Sequence, residues 1–338
     1  MKKLTAFLPL ALLPILVAGH HANVEHDTNI VEELQGQLVT VSWRNPHVRM
    51  TLSVPAEDGV EQTWELEAQD VNSLGRRGLT SELVPVGVTV RVAGHPSRSR
   101  NSLYVTNLLL PNGTEIKTRG NTRPRWSSEH IGFDNDPFLA EPPLSASDGS
   151  EGIFRVWLRE RRTGFPSDLP LTLAAREASS GRTQAENPTL QCIGGGMPGV
   201  MARVSGPHPI DFVERDGNIL IRLESFDVVR TVHMDPNADA TSQPHSPLGY
   251  SVGRWEGRTL IVRTTGVNWP YFDINGRVPQ SESVEIMERF TLSEDETRLT
   301  YELEVTDPET FTQPVSSRWE LDWRPDMVVE PYECTLEG

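Results

Sequence analysis

The sequence predicts an all-β protein of two barrels: a small OB-like barrel of five strands, then a larger antiparallel calycin-like β-barrel. Apolar and polar residues alternate with period two through most of the chain, and helical periodicity is confined to two short stretches. A segment dense in Pro, Ser, Asp and Gly, GNTRPRWSSEHIGFDNDPFLAEPPLSASDGSEG, separates an early group of strands from a later one. These observations divide the chain into residues 1–19 as a signal peptide, 20–119 as the OB-like domain, 120–152 as a linker and 153–338 as the larger barrel.

Lys2 and Lys3 precede an apolar run, Leu4 to Val17, that Pro9 and Pro14 interrupt. That run is too short for a membrane span and suits a secretory signal, with Val17 and Gly19 small enough for a cut after Gly19. A periplasmic or secreted protein, without a membrane span after processing, is expected. In the next domain Val39, Val41 and Trp43 are expected on one strand face. Val48, Met50, Leu52 and Val54 share a face on the following strand, and Trp64 and Leu66 on a third. Val71, Leu74 and Leu79 suit a short helix broken by glycines. The runs VTVRVAG and SLYVTNLLL, with a short strand after PNG, complete the order of an OB-type barrel. In the linker, Trp126, Ile131, Phe133, Phe138 and Leu139 are the expected anchors.

EGIFRVWL opens the second domain, followed by a helix in LPLTLAAREASS and the glycine-rich turn CIGGGMPGV. That turn lacks the Lys-Ser/Thr of a phosphate loop, and no parallel βαβ unit surrounds it. Strand-like runs then follow in series: HPIDFVE, GNILIRLE, DVVRTVHM, GYSVGRWEG, RTLIVRTTGV, SVEIMERFTL, TRLTYELEVTD, SSRWELDW and DMVVEPYEC. Tight turns such as RDGN and WEGR join several of them. Closing such a series into a barrel removes its exposed edges.

With 31 basic and 47 acidic residues the formal charge is −16, a surface that repels phosphate backbones and argues against nucleic acid as a partner. In an oxidising compartment the two cysteines, Cys192 and Cys334, are expected as a disulfide; the alternative is two buried thiols.

Alternation also singles out groups that could carry chemistry. Glu288 shares a face with Val284, Ile286 and Phe290, so its carboxylate is expected inside the barrel, where desolvation raises the pKa unless a cation meets it. Glu288 is therefore the candidate general acid or base. The alternative is an internal pair with Arg230, from the mixed face of Val228, Arg230, Val232 and Met234. His233, Asp235 and Tyr250 form a second candidate group, a proton relay or part of a metal site at the barrel mouth. Trp255, Trp269, Tyr271 and Phe272 gather around two turns, to line an apolar ligand pocket or to plug the barrel end. A cut before His20 frees an amine and an imidazole, which with His21 and His47 supply nitrogen donors suited to Cu(II); the alternative is a frayed polar terminus. No cofactor other than copper is expected. No serine sits in a GxSxG setting, which removes support for that hydrolytic mechanism.

The motifs also carry a resemblance. A histidine pair after a signal peptide, GQLVTVSWRNPHV (Gly36 to Val48), WELE (Trp64 to Glu67) and GHPSR (Gly94 to Arg98) resemble the N-terminal domain of a bacterial exported family of unknown function. GMP (Gly196 to Pro198), GYSVGRWEGRTLIV (Gly249 to Val262), SESVEIMERF (Ser281 to Phe290), DPETFTQP (Asp307 to Pro314) and YEC (Tyr332 to Cys334) resemble a β-barrel domain of similar exported proteins. Relatives with the second pattern often carry histidine where this chain has Tyr250 and Gln280. The resemblance implies that any site formed by those histidines is altered or lost here.

The favoured expectation is an exported protein that binds a small, largely apolar molecule in its larger barrel. If an enzyme, it is a cofactor-independent lyase, isomerase or cyclase working by acid/base chemistry. The alternatives are a copper-binding or copper-handling protein and a cell-envelope interaction module without a small-molecule site; the oligomeric state stays open.

Overall fold

The structure is a computed structural model that describes residues 26–336, apart from 57–58, 121, 133, 135, 139–150, 161–163, 183–185 and 203–205. The first barrel contains β1 (Glu32–Ser42), β2 (Arg49–Pro55), β3 (Glu61–Glu67), β4 (Thr89–Pro96) and β5 (Ser102–Leu109). Their spatial order is β3, β2, β1, β4, β5, and parallel pairing of β3 with β5 closes the ring. Helix α1 (Val71–Gly75) lies between β3 and β4 in the chain. It starts at Asp70, whose Oδ1 accepts the Ser73 backbone N–H at 2.8 Å. Leu38, Leu52, Leu66, Leu74 and Leu103 fill the interior. One expected face is out of phase: Val39 is 47% exposed while Leu38 is buried. The β1–β2 register slips between Leu38 and Thr40, so Val39 is the extra residue of a bulge, and Val41 and Trp43 return to the core beyond it.

Part of the segment expected as a linker belongs to this sheet. Strand β6 (Glu115–Lys117) pairs with β5, and β7 (His130–Ile131) pairs with β6. The buried Glu115 carboxylate accepts the backbone N–H groups of Arg125, Trp126 and Ser127 at 2.8, 2.9 and 3.0 Å. Burial alone would raise this carboxyl, but those donors and the Asn107 amide outweigh it and hold it below the usual carboxylate range. Trp126 lies under the Arg91 guanidinium and Ile131 packs on the core; Phe133 and Leu139 lie outside the described residues.

The second barrel is closed by nine strands. They are β8 (Val156–Arg159), β9 (Ile210–Arg215), β10 (Asn218–Leu223), β11 (Val228–His233), β12 (Tyr250–Glu256), β13 (Thr259–Thr265), β14 (Glu285–Leu292), β15 (Arg298–Thr306) and β16 (Val315–Trp323). Each pairs with the next in the chain, and β16 returns to β8. Asp216 and Gly217, at φ 51° and 73°, make the β9–β10 turn, where both positions need the left-handed region. Helix α2 (Leu173–Ser180) is capped by the Thr172 side chain.

Two expectations for this domain are corrected. The β11–β12 pair is parallel, through Val232↔Ser251 and His233↔Val252 alone, because the 234–249 loop carries the chain back before β12 begins. The last expected strand, DMVVEPYEC, is a tail without ladder pairing. Its backbone donors are taken by carboxylates instead: Glu330 N by Glu224 Oε2 at 3.1 Å and Tyr332 N by Asp227 Oδ1 at 2.8 Å. Cys192 and Cys334 are disulfide-bonded, so the bridge ties this tail to the turn ahead of β9.

The β9–β10, β12–β13 and β14–β15 turns mark one end of the barrel, called upper here. The lower end is stopped by the glycine-rich turn, with Met197 fully buried and Gln280 donating to its carbonyl at 2.9 Å. A Cβ on Gly196 would fall against the Pro247 carbonyl and 2.5 Å from Trp269, which explains the glycine by close packing. Among the described residues no helix is long and apolar enough to cross a membrane.

Candidate functional site

Alternation along β14 turns Ile286, Glu288 and Phe290 into the second barrel. Glu288 is completely buried and meets Arg230 of β11, itself 1% exposed. Arg230 Nη1 donates to Glu288 Oε1 at 2.8 Å and Nη2 to Oε2, a two-pronged pair. Tyr301 Oη of β15 donates to Glu288 Oε1 at 2.7 Å. The rest of the guanidinium is used by Ser251 Oγ, which accepts from Nε at 3.0 Å and Nη2 at 2.9 Å, and by Thr264 Oγ1 at 2.8 Å. Burial by itself would lower the Arg230 pKa, yet the facing carboxylate outweighs it and the net shift is upward. Burial and the same carboxylate push the Tyr301 phenol well above its usual range.

Aromatic rings occupy the space beside this cluster. Phe212, Phe290, Tyr301 and Trp319 follow one another with ring centroids 5.3, 4.6 and 5.0 Å apart. Phe165, Phe272 and Phe311 continue the series at the lower end. Glu288 thus has a cation, a phenol and two neighbouring hydroxyls, but no approach for a guest to its carboxylate along this stack. The pairing with Arg230 is the arrangement observed.

The other candidate residues scatter. His233 and Tyr250 face outward and stack on each other at 4.2 Å, and partial burial lowers the His233 pKa. Asp235 is exposed and its Oδ1 accepts the Asn237 backbone N–H at 2.8 Å, so the expected His233–Asp235 relay is not formed. The loop geometry favours this local turn over a reach back to the ring. Phe272 is buried in the lower plug, while Trp269 and Tyr271 meet edge to face and Arg182 covers Tyr271. Trp255, by contrast, is 45% exposed near the upper end. It lines a groove of about 920 Å³ with Phe154, Ile219, Met234 and Val252, walled by the 236–241 loop and rimmed by Arg254, Arg263 and Glu214. The groove opens where β11 and β12 share so few pairs. Gly253 lines it, and close packing explains the glycine, since a Cβ there would strike Val232 and Met234.

His20 and His21 lie outside the described residues. His47 directs Nδ1 to the Ala68 carbonyl at 3.2 Å and lies 3.6 Å from Glu67 Oε1. Among the described residues no three His, Cys, Asp or Glu side chains gather as a metal site.

A polar cluster between the barrels was not anticipated from the sequence. His208 Nδ1 lies 3.0 Å from Glu224 Oε1 and Nε2 lies 3.4 Å from Asp70 Oδ2, with Arg76 paired to the same Glu224. Ser73 Oγ donates to Asp70 Oδ2 at 2.7 Å and lies 3.5 Å from His208 Nε2. A serine, a histidine and carboxylates in line suggest a nucleophile, but Ser73 is wholly buried and Gly206 packs against its hydroxyl. No substrate carbonyl can reach it, and the cluster works as an interdomain latch. Neither its members nor their spacing form a sequence motif, because Asp70 and His208 come from different barrels.

Residues 10–105 match the model of a family of unknown function (DUF6152). The match spans β1 to β4 and the start of β5, and contains His47, Asp70 and Ser73. The second barrel, with Arg230, Glu288 and the groove, lies beyond it. No curated protein and no solved structure matches the chain.

Proposed function

We propose that the protein binds a small, largely apolar molecule on its second barrel, in the groove beside Trp255. The observation that carries this reading is the groove itself: about 920 Å³, floored by Phe154, Ile219, Met234 and Val252, with an indole left 45% exposed. That volume and lining suit an organic ligand with charged groups at its rim. Acid/base catalysis by Glu288 is not part of the proposal, because the carboxylate is engaged with Arg230 and Tyr301.

The test uses 1-anilinonaphthalene-8-sulfonate as an apolar probe. Saturable binding is expected, weakened about tenfold or more in Trp255→Ala and in Val252→Glu, each checked for native circular dichroism. Equal affinity in both folded variants would remove the groove from consideration. Export is proposed alongside, supported by the Lys2 to Gly19 pattern and the Cys192–Cys334 bond, and N-terminal sequencing of protein from the producing cell tests the cut after Gly19. The copper reading rests on an amino terminus at His20; its control is protein with one extra residue ahead of His20.

A further inference from the structure

Charge is unevenly placed around the groove beside Trp255. Along β9, Phe212 points into the barrel and meets Phe290 at 5.3 Å, so Glu214, two residues on, takes the same inward face where the strand reaches the upper end. Along β12, Ser251 meets Arg230 inside the barrel and a Cβ on Gly253 would touch Val232, so Trp255 holds the next inward position at that end. Ile219 bridges the two sides, pairing with Glu214 in one direction and with Val232 in the other. A carboxylate and an indole therefore line one mouth, with Ile219 and Met234 as apolar floor.

Glu214 is exposed there and has no hydrogen-bond or ion-pair partner among the described residues. The two lining arginines differ from it. Arg254 and Arg263 stand on the outward faces of β12 and β13, and each is held by a glutamate that does not line the groove: Arg254 Nη2 donates to Glu256 Oε1 at 2.8 Å, and Arg263 Nη2 to Glu285 Oε2 at 2.9 Å. The remaining charged group of the lining, Asp239, accepts from Thr241 N at 2.9 Å and Thr241 Oγ1 at 2.6 Å, donors that hold its carboxyl below the usual range and keep it ionised. With those partners included, carboxylates around the groove outnumber guanidinium groups. An anion entering it would face Glu214 and compete with Glu256 or Glu285 for an arginine. A cation displaces nothing: it meets an unpaired carboxylate and an exposed indole, whose ring attracts positive charge.

We propose, on the reading that the groove beside Trp255 is the ligand site, that its ligand is an organic cation: an ammonium head between Glu214 and Trp255, and an apolar body against Phe154, Ile219, Met234 and Val252. Glu214 sets the sign of the ligand, and the apolar floor supplies affinity that a neutral molecule shares.

Three probes with one apolar body separate the two contributions: 1-naphthylmethylammonium, 1-naphthylmethanol and 1-naphthylacetate, titrated calorimetrically into the whole chain. The cation is expected to bind about tenfold or more tightly than the anion, with the alcohol between them. Glu214→Gln should close the gap between cation and anion to about threefold or less and leave the alcohol unchanged. Glu177→Gln removes the same charge from the exposed face of α2, whose N-terminal cap Thr172 is tied to the Glu309 carbonyl beyond the lower end of β15, and should leave the gap as it was. Equal affinity for cation and anion, a preference that persists in Glu214→Gln, or one that Glu177→Gln abolishes equally well, overturns the proposal and leaves the groove standing as an apolar site. Binding by none of the three, or binding that Trp255→Ala does not weaken, removes the groove itself and the proposal with it.

Discussion

At Glu288 a carboxylate has been taken fully out of water, and the Arg230 guanidinium has gone with it. Removing both charges from solvent costs several kcal/mol each, offset only because every strong donor in the cluster has an acceptor. Glu288→Gln should therefore destabilise the protein by about 3–5 kcal/mol in urea unfolding, since it strands a buried guanidinium. The double variant Arg230→Met/Glu288→Leu should recover most of that loss; if it is as unstable as the single one, the cluster contributes more than mutual compensation. The inward direction of Glu288 and the matching face of Arg230 were legible in the period-two pattern. Tyr301 and Ser251 were not linked to them, because contacts across strands depend on register, and Ser251 arrives through the parallel pair that no alternation announces.

Among the elements, alternation discloses the strands but not their exceptions, each for a local reason. Val39 leaves the face that alternation predicts because a bulge shifts the phase of the strand by one residue while leaving its composition unchanged. DMVVEPYEC has strand-like content, yet Pro331 lacks a donor and the neighbouring N–H groups find carboxylates outside the sheet. That tail is held by the Cys192–Cys334 bond, which spans 142 residues of chain. A loop of that length is worth up to about 5 kcal/mol in the chain-entropy account. Cys192→Ser/Cys334→Ser should lower stability by about 2–5 kcal/mol in guanidinium unfolding. A change below about 1 kcal/mol would mean that the hydrogen bonds of the tail suffice without the bridge.

For the whole molecule the decisive contacts are those between the barrels, which no single-chain pattern discloses. Burial alone would raise the Asp70 carboxyl, but the charge His208 carries when protonated and the Ser73 donors outweigh it and hold it well below the usual range. A folded value below the unfolded one means that Asp70 contributes stability above about pH 4, which is lost as the pH falls through that point toward the folded value. The Asp70 side chain is faced by His208 and Ser73, and the cluster continues through Glu224 to Arg76 and Glu330. Asp70→Asn should melt below the wild type at pH 6, with the gap narrowing as the pH drops under about 4. Parallel melting curves at every pH would show that the latch does not use this charge. The tail adds to the same junction: Asn45 donates to the Tyr332 carbonyl and accepts from Thr335 N at 3.2 Å, and Asn72 donates to the Pro331 carbonyl at 3.1 Å. Those partners are made long after the first barrel, so the nascent amino-terminal half must wait, its docking face uncovered, until they have followed it. Premature termination shortly after Trp323 would leave the junction to Asp70, His208, Glu224 and Arg76 alone, stripped of its outer strap.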